Sequence, residues 1–272
     1  MLTHIRTESD LDLALAALTS ADARFAALMT RAGRPPLRRR PDGFAGLAAT
    51  VVSQQLSTAS AGAIWARLVA AFDPFEPQAI IRARASRLAR LGLSAPKIRA
   101  LKAIARAVAS ERLALASLAA IEAEAAHAAL TAVHGIGPWT ADIYLLSCLG
   151  HADAWPAGDL ALQEAARLAF ALPQRPSAKE MVALAEMWRP LRAVAARVLW
   201  TYYRAVKGRD GAPITPSAIT PSSNAPNPAS AATQVVARTL SKLSPKAKRV
   251  TRTKIKQSGT KNARGKRERN AR

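Results

Sequence analysis

The sequence predicts an all-α protein of many short helices followed by a basic tail without a core. Three observations carry that prediction. Apolar residues recur three and four apart along most of the first 207 residues, and no run shows the alternation of a half-buried strand. Near Gly208 to Gly211 the composition turns abruptly from Leu/Ala/Arg at helical spacing to a Pro/Ser/Ala/Asn stretch running from Pro213 to about Ala232.

In chain order, the first stripes are Leu11, Leu15 and Leu18, then Phe25, Leu28 and Met29. Leu47, Val51 and Val52 form the next, and Ile64, Leu68 and Phe72 another. Leu88, Leu91 and Leu93 lead into Lys97 to Ala109, where Ile98, Leu101, Ile104 and Val108 share a face. The remaining helices are expected at about 123–132, 138–149, 159–171, 177–187 and 190–206. No repeat period emerges beyond this succession. The last forty residues, with Lys242, Lys246, Lys248, Arg249, Arg252, Lys254 and Lys256, hold few large apolar groups. They cannot offset chain entropy by burial and are expected to be disordered, with a domain boundary at 210–211.

Composition narrows the function. The 272 residues are half hydrophobic, enough for one large or two small domains with a proper core. A single cysteine, Cys148, excludes a disulfide framework, a four-thiolate zinc site and a cysteine-ligated cluster. His4, His127, His134 and His151 show no metal-ligand spacing. The N-terminus lacks the pattern of a secretory signal, and the longest uncharged stretch, Gly43 to Ala66, is too polar for a bilayer span. An intracellular chain is expected.

Forty basic against 18 acidic residues give a net charge of +22 and a pI near 11.5. Residues 211–272 carry 14 Lys/Arg and one acid, Glu268, which leaves the first 210 residues at +9. Attraction to polyanions follows, and nucleic acid is the expected partner. The tail reads equally as a solvated or localisation segment and as a loose, sequence-independent phosphate binder.

Two glycines two apart, in Val133-His134-Gly135-Ile136-Gly137-Pro138-Trp139-Thr140-Ala141, sit between two helical stretches and predict a tight helical hairpin. Glycine permits positive φ and close backbone approach, while Pro138 suits the first turn of the next helix, whose amides are unpaired. Such a turn can bind phosphate through main-chain amides. It can equally be an ordinary helix connection with a glycine stop.

The longer pattern resembles the helix-hairpin-helix of DNA base-excision glycosylases, and Gly135-Ile136-Gly137-Pro138-Trp139-Thr140-Ala141 is similar to its DNA-3-methyladenine glycosylase II family. In that superfamily a catalytic aspartate follows the hairpin by about twenty residues, and Trp155-Pro156-Ala157-Gly158-Asp159 occupies that place. The likeness runs from about Phe44 to Lys207. It implies two helical lobes around a cleft, one of the N-terminal and C-terminal helices and one from about 44 to 150. It implies a monofunctional glycosylase that flips out alkylated purines of the 3-methyladenine type, hydrolyses the N-glycosidic bond and leaves an abasic site.

Chemistry supports the role of Asp159. Breaking the bond between base and sugar develops positive charge on the sugar, which a partly dry carboxylate stabilises. Asp159 also opens the apolar stripe Leu160, Leu162, Ala166 and Phe170, where an aspartate caps a helix, and the two roles can coexist. Trp139 stands where strand-nicking relatives carry the imine-forming lysine, and no lysine lies between Lys102 and Lys179, so water is the expected nucleophile.

A flipped, cationic base is rewarded by aromatic faces. The resemblance implies Trp139, Trp200 and Tyr144 as its pocket, with Tyr144 one residue later than the tyrosine of relatives, where this chain has Ile143. Trp65 and Trp188 read as core. Leu56 matches the residue that relatives wedge into the duplex, although a buried leucine at a helix end reads as well. Gln54 and Gln55 would neighbour the displaced pair. Gly135, Gly137, Thr140 and His134 are the expected phosphate contacts, and the carbonyls of Thr131, Val133 and Ile136 would hold a monovalent cation when DNA is bound. No cofactor is otherwise required. A monomer acting on damaged double-stranded DNA in the cytoplasm, at the nucleoid, is the expectation. The alternatives are a non-catalytic helix-hairpin-helix DNA-binding module and, less favoured, a bifunctional glycosylase/lyase.

Overall fold

A computed structural model describes residues 2–208; the expected boundary at 210–211 and the tail from 211 to 272 lie outside the described residues. Helix dominates. In order come α1 (Glu8–Ala21), α2 (Arg24–Ala32), α3 (Gly43–Ser53), α4 (Thr58–Ala71), α5 (Pro77–Arg82), α6 (Ala85–Arg90), α7 (Ala95–Ala109), α8 (Ala123–Thr131), α9 (Pro138–Tyr144), α10 (Leu160–Ala169), α11 (Ala178–Ala185) and α12 (Arg192–Lys207). Among the described residues the only β pairing is an isolated bridge between His4 and His151.

The sequence sets the helix starts by familiar means. Thr7 with Asp10, and Ser177 with Glu180, form reciprocal capping boxes on α1 and α11. Pro77, Pro96 and Pro138 lie in the first turns of α5, α7 and α9, where a missing N–H costs nothing. The stripes expected around Leu11, Phe25, Leu47, Leu68 and Leu101 all face the core, fully buried except for the half-buried Met29, Ile64 and Val108.

The helices sort into two groups by packing. In the first, α12 packs on α10, α2 and α1; in the second, α3 packs on α4, α7 and α9, α5 lies on α7, and α8 on α9. α12 is the central element of its group. Every residue from Arg192 to Tyr202 is buried, which only a helix surrounded on all sides requires. Arg197 binds α12 to the rest through hydrogen bonds to the carbonyls of Leu37 and Leu146, with its guanidinium brought down to about 10 by burial.

Two elements differ from expectation. The helix expected over 138–149 ends at Tyr144 and continues as a π-helical turn, Leu145–Leu149, in which Gly150 and His151 both return their N–H to Leu145. Gly150 lies at φ +81, and a Cβ there would stand 2.7 Å from the carbonyl of Ile5, so the N-terminal segment passes directly over the turn. The stretch before Leu88 forms two short helices, α5 and α6, whose break at Ala83 and Arg84 is held by Lys102 on the carbonyls of Ile81 and Ala83.

Candidate active site

The hairpin joins α8 to α9. The Val133 amide returns to Leu130, the Ile136 amide to Val133, and the Ile136 side chain is buried. Gly135 sits at φ +91, and a Cβ there would lie 2.4 Å from the Cβ of Ala100 on α7, so both conformation and space demand glycine. Gly137 differs. At φ −85 it has an ordinary backbone, and a Cβ would meet nothing within 4 Å. It is the N-cap of α9 and supplies no side-chain cap, so the start of this helix is left uncovered.

Twenty residues on, the chain forms a second helix start of opposite character. The turn Trp155 to Asp159 is closed by Ala157 N–H on Trp155 and Asp159 N–H on Pro156. The Trp155 indole N–H donates to Met181, and the Gln163 amide to Ala157. Asp159 caps α10, accepting from the Leu162 amide at 2.8 Å. Its carboxylate then receives two indoles, Trp139 Nε1 on Oδ2 at 2.9 Å and Trp200 Nε1 on Oδ1 at 3.1 Å. The residue is 6% exposed, and among the described residues no Lys, Arg or His lies within ion-pair distance of it. Three neutral donors fix this charge, and none cancels it.

Trp139, Trp200 and Asp159 are therefore brought together, from α9, α12 and the α10 cap. From the sequence the two tryptophans are expected as faces for a base; that both donate to the carboxylate is a finding of the structure. Nothing local to the sequence marks that role, because it depends on where three separate helices meet.

Other expected residues are placed differently. Tyr144 is fully buried, with its hydroxyl donating to the carbonyl of Gly43 at 3.4 Å, so it belongs to the core at the start of α3 and not to a base pocket. Burial pushes its phenol well above the usual range. Thr140 is 1% exposed, and its hydroxyl accepts from Gln54 Nε2 at 2.5 Å, so its side chain does not face a phosphate. Gln54 is correspondingly directed inward, tying the α3–α4 turn to α9 rather than standing free beside a base pair. Gln55, at φ +54, is exposed, and Leu56 is half-buried. The Lys97 ammonium on the Val52 carbonyl, 2.6 Å, holds the same turn from α7. His134 and Gly135 are exposed on the hairpin. Trp65 and Trp188 lie in the core.

A cavity of about 690 Å³ beside Trp139 is lined by His127, Asp142, Gly158, Lys179 and Arg192 and not by Asp159. Burial raises the Asp142 carboxyl well above the usual range, opposed by the charge of Arg192, and lowers the His127 imidazole that faces it at 3.8 Å. No group of three or more His, Cys, Asp or Glu capable of holding a metal occurs among the described residues, and no described helix is long and apolar enough to cross a membrane.

Known proteins resemble much of this chain. The alkylbase DNA glycosidase-like protein Mag2 of Schizosaccharomyces pombe is 26% identical over 200 residues, 71% of this chain and 94% of that protein. The probable bifunctional transcriptional activator/DNA repair enzyme AlkA of Mycobacterium tuberculosis is 32% identical over 191 residues, 66% of this chain but 38% of that longer protein. Among solved structures, the 3-methyladenine DNA glycosylase Mag1 of S. pombe in complex with abasic DNA matches with TM-score 0.62 and 28% identity, over 70% of this chain and 95% of Mag1. The model of the HhH-GPD superfamily base excision DNA repair proteins matches residues 48–190, just over half of the chain. With the hairpin, the aspartate after it and the helices that join them all inside that span, the chain belongs to the HhH-GPD superfamily of base excision DNA repair proteins.

Proposed function

We propose that this protein is a monofunctional DNA glycosylase that releases alkylated purines of the 3-methyladenine type from duplex DNA and leaves an abasic site. One observation carries the reading: the Asp159 carboxylate is almost dry, fixed by three neutral donors and uncompensated by any cation among the described residues. A sugar losing its base becomes cationic, and a preorganised, unneutralised carboxylate stabilises that charge without reorganising. An alkylated purine is already cationic and leaves readily, so the site has little need of a general acid. Relatives named as 3-methyladenine glycosylases support the substrate class.

The other parts take complementary roles. Trp139 and Trp200 hold the carboxylate through their N–H groups and offer ring faces to the flipped base. Leu56, on a turn held from two sides by Gln54 and Lys97, is the wedge. Gly137, with no side chain and open space before it, lets a DNA phosphate approach the uncapped start of α9, and exposed His134 lies beside that approach. The carbonyls of Thr131, Val133 and Ile136 are neutral donors with no carboxylate among them, a set that suits a monovalent rather than a divalent cation bridging to phosphate. Trp139 in place of a lysine leaves water as the nucleophile. A monomer acting within the cytoplasm completes the reading.

The test is release of free base from alkylated duplex by wild type and Asp159→Asn, with duplex affinity measured alongside. Wild-type release that the variant loses while binding is kept supports the reading. Tight binding by wild type with no release from any damaged duplex would leave a non-catalytic DNA-binding module. Borohydride trapping yields no covalent protein–DNA adduct if water is the nucleophile, whereas an adduct would make the protein a glycosylase/lyase.

A further inference from the structure

Between Glu76 and Glu111 the chain holds eight Lys and Arg and no acid. This stretch builds α5, α6 and α7, and its cations fall into two kinds. Some serve the fold: Arg67 of α4 and Arg87 donate to the carbonyls of Leu91 and Ala71, and Lys102 to those of Ile81 and Ala83. Others do not. The guanidinium groups of Arg82, Arg84, Arg99 and Arg106, like that of Arg90, are exposed and make no hydrogen bond or ion pair with another described residue. Elsewhere Arg24, Arg34, Arg167, Arg189 and Arg192 all pair with carboxylates. Arg6, Arg175 and Lys179 also lack a carboxylate partner, each in its own segment, whereas the stretch from α5 to α7 gathers several uncompensated cations close enough to repel one another.

Their placement is ordered. Arg99, Lys102 and Arg106 lie three and four residues apart and share a face of α7. Lys102 reaches the α5 corner at 2.6 and 3.0 Å, which brings Arg82 and Arg84 alongside that face. The stripe also starts at the proposed DNA surface. Ala100, next to Arg99, is the residue against which Gly135 of the hairpin closes, and Lys97, two residues before Arg99, holds the turn that carries Leu56. From Arg99 to Arg106 the helix rises about 10 Å, roughly three nucleotide steps of one strand.

We propose that this α5–α7 face is a second, lesion-independent binding surface for the phosphate backbone of duplex DNA, continuing outward from the hairpin and the wedge turn. It rests on the glycosylase reading for the identity of its partner. Four point charges at such spacing carry no base readout. They lengthen the footprint and add salt-sensitive affinity for undamaged DNA, as an enzyme that must search needs.

The experiment uses the full chain with Arg82, Arg84, Arg99 and Arg106 all changed to Gln, and a second variant with all four changed to Lys. Affinity for a long undamaged duplex is measured across salt concentrations. The expected result is a log–log salt slope smaller by about 2 to 4 for the Gln variant, at about 0.9 per contact, and affinity at least about tenfold weaker at physiological salt. The Lys variant should keep most of both. On a duplex too short to pass beyond the wedge and hairpin the Gln variant should match wild type, and single-turnover base release at saturating enzyme should be unchanged. A slope altered by less than one, an equal loss on the short duplex, or an equal loss in the Lys variant would overturn the proposal. Base release by wild type is scored separately: its absence defeats the glycosylase reading, whereas release with an unaltered slope defeats only the second surface.

Discussion

Two buried aspartates in this molecule are gripped alike and differ in one partner. Asp22, at the end of α1, accepts the Trp188 indole at 2.9 Å, the Arg24 amide at 3.1 Å and the Arg24 guanidinium at 2.6 Å. Asp159 accepts an amide and an indole too, and then a second indole where Asp22 has its arginine. Both are less than a tenth exposed. An indole or amide N–H orients a carboxylate but leaves its charge in place, whereas a guanidinium within hydrogen-bond distance neutralises it. The charge of Asp22 is used up inside the protein. That of Asp159 is left to meet a cation from outside, and in the proposed reaction that cation is the sugar.

The sharpest way to break this comparison is to neutralise each in turn. Asp159→Asn keeps a capping oxygen on α10 but turns its amide N–H toward one indole N–H, so stability should fall by about 1–3 kcal/mol, while single-turnover base release falls by about 10²–10³-fold. Asp22→Asn should separate the two effects. Base release at permissive temperature stays as in wild type, and urea denaturation shows a loss of about 2 kcal/mol, the linkage value of a carboxyl brought from 3.8 to about 2. Arg24 is 47% exposed, so solvent screening makes that an upper figure. Equal effects of the two substitutions on base release would end the distinction.

The Asp22 contribution also has a pH signature. Its folded pKa lies below the unfolded one, so the stabilisation is present above about pH 4 and is lost as pH falls toward 2. The difference in unfolding free energy between wild type and Asp22→Asn should shrink over that window, as a urea series at stepped pH would record.

Indole donors can be tested with the ring retained. Trp139→Phe and Trp200→Phe should each lower base release by about tenfold, the value of one hydrogen bond to a charged group, with duplex binding largely kept. Trp188→Phe, the matching change at Asp22, should leave release alone and lower the melting temperature. Retention of full activity by both site variants would mean that the rings and not their N–H groups matter. The smallest effect lies on the hairpin: Gly137→Ala, at an ordinary φ with open space around it, should alter stability by less than about 0.5 kcal/mol and weaken duplex affinity a few-fold.

Much of this arrangement is legible along the chain. The hairpin glycines, the proline after them and the aspartate twenty residues on carry their own conformational reasons, and helical periodicity places the helices around them. Tyr144 shows where that legibility ends. Its position near Trp139 suggests a pocket, but one residue of offset turns a side chain by about 100° around a helix, and the structure sends it into the core beneath Gly43. Thr140 and Gln54, each expected to face DNA, are instead each other's partner across 86 residues of chain.

By itself, then, the sequence determined the helical class, the basic charge, the tight turn at Gly135 and a helix cap at Asp159, because propensity, periodicity and glycine geometry act over a few residues; the catalytic candidacy of Asp159 came from resemblance to a family. Only the tertiary structure decided which groups surround that aspartate. α9, α10 and α12 come together through packing of apolar faces, and the two indoles that reach Asp159 are set by those interfaces. The absence of a described cation beside Asp159, which separates it from Asp22, is a property of three helices meeting and is written in no one of them.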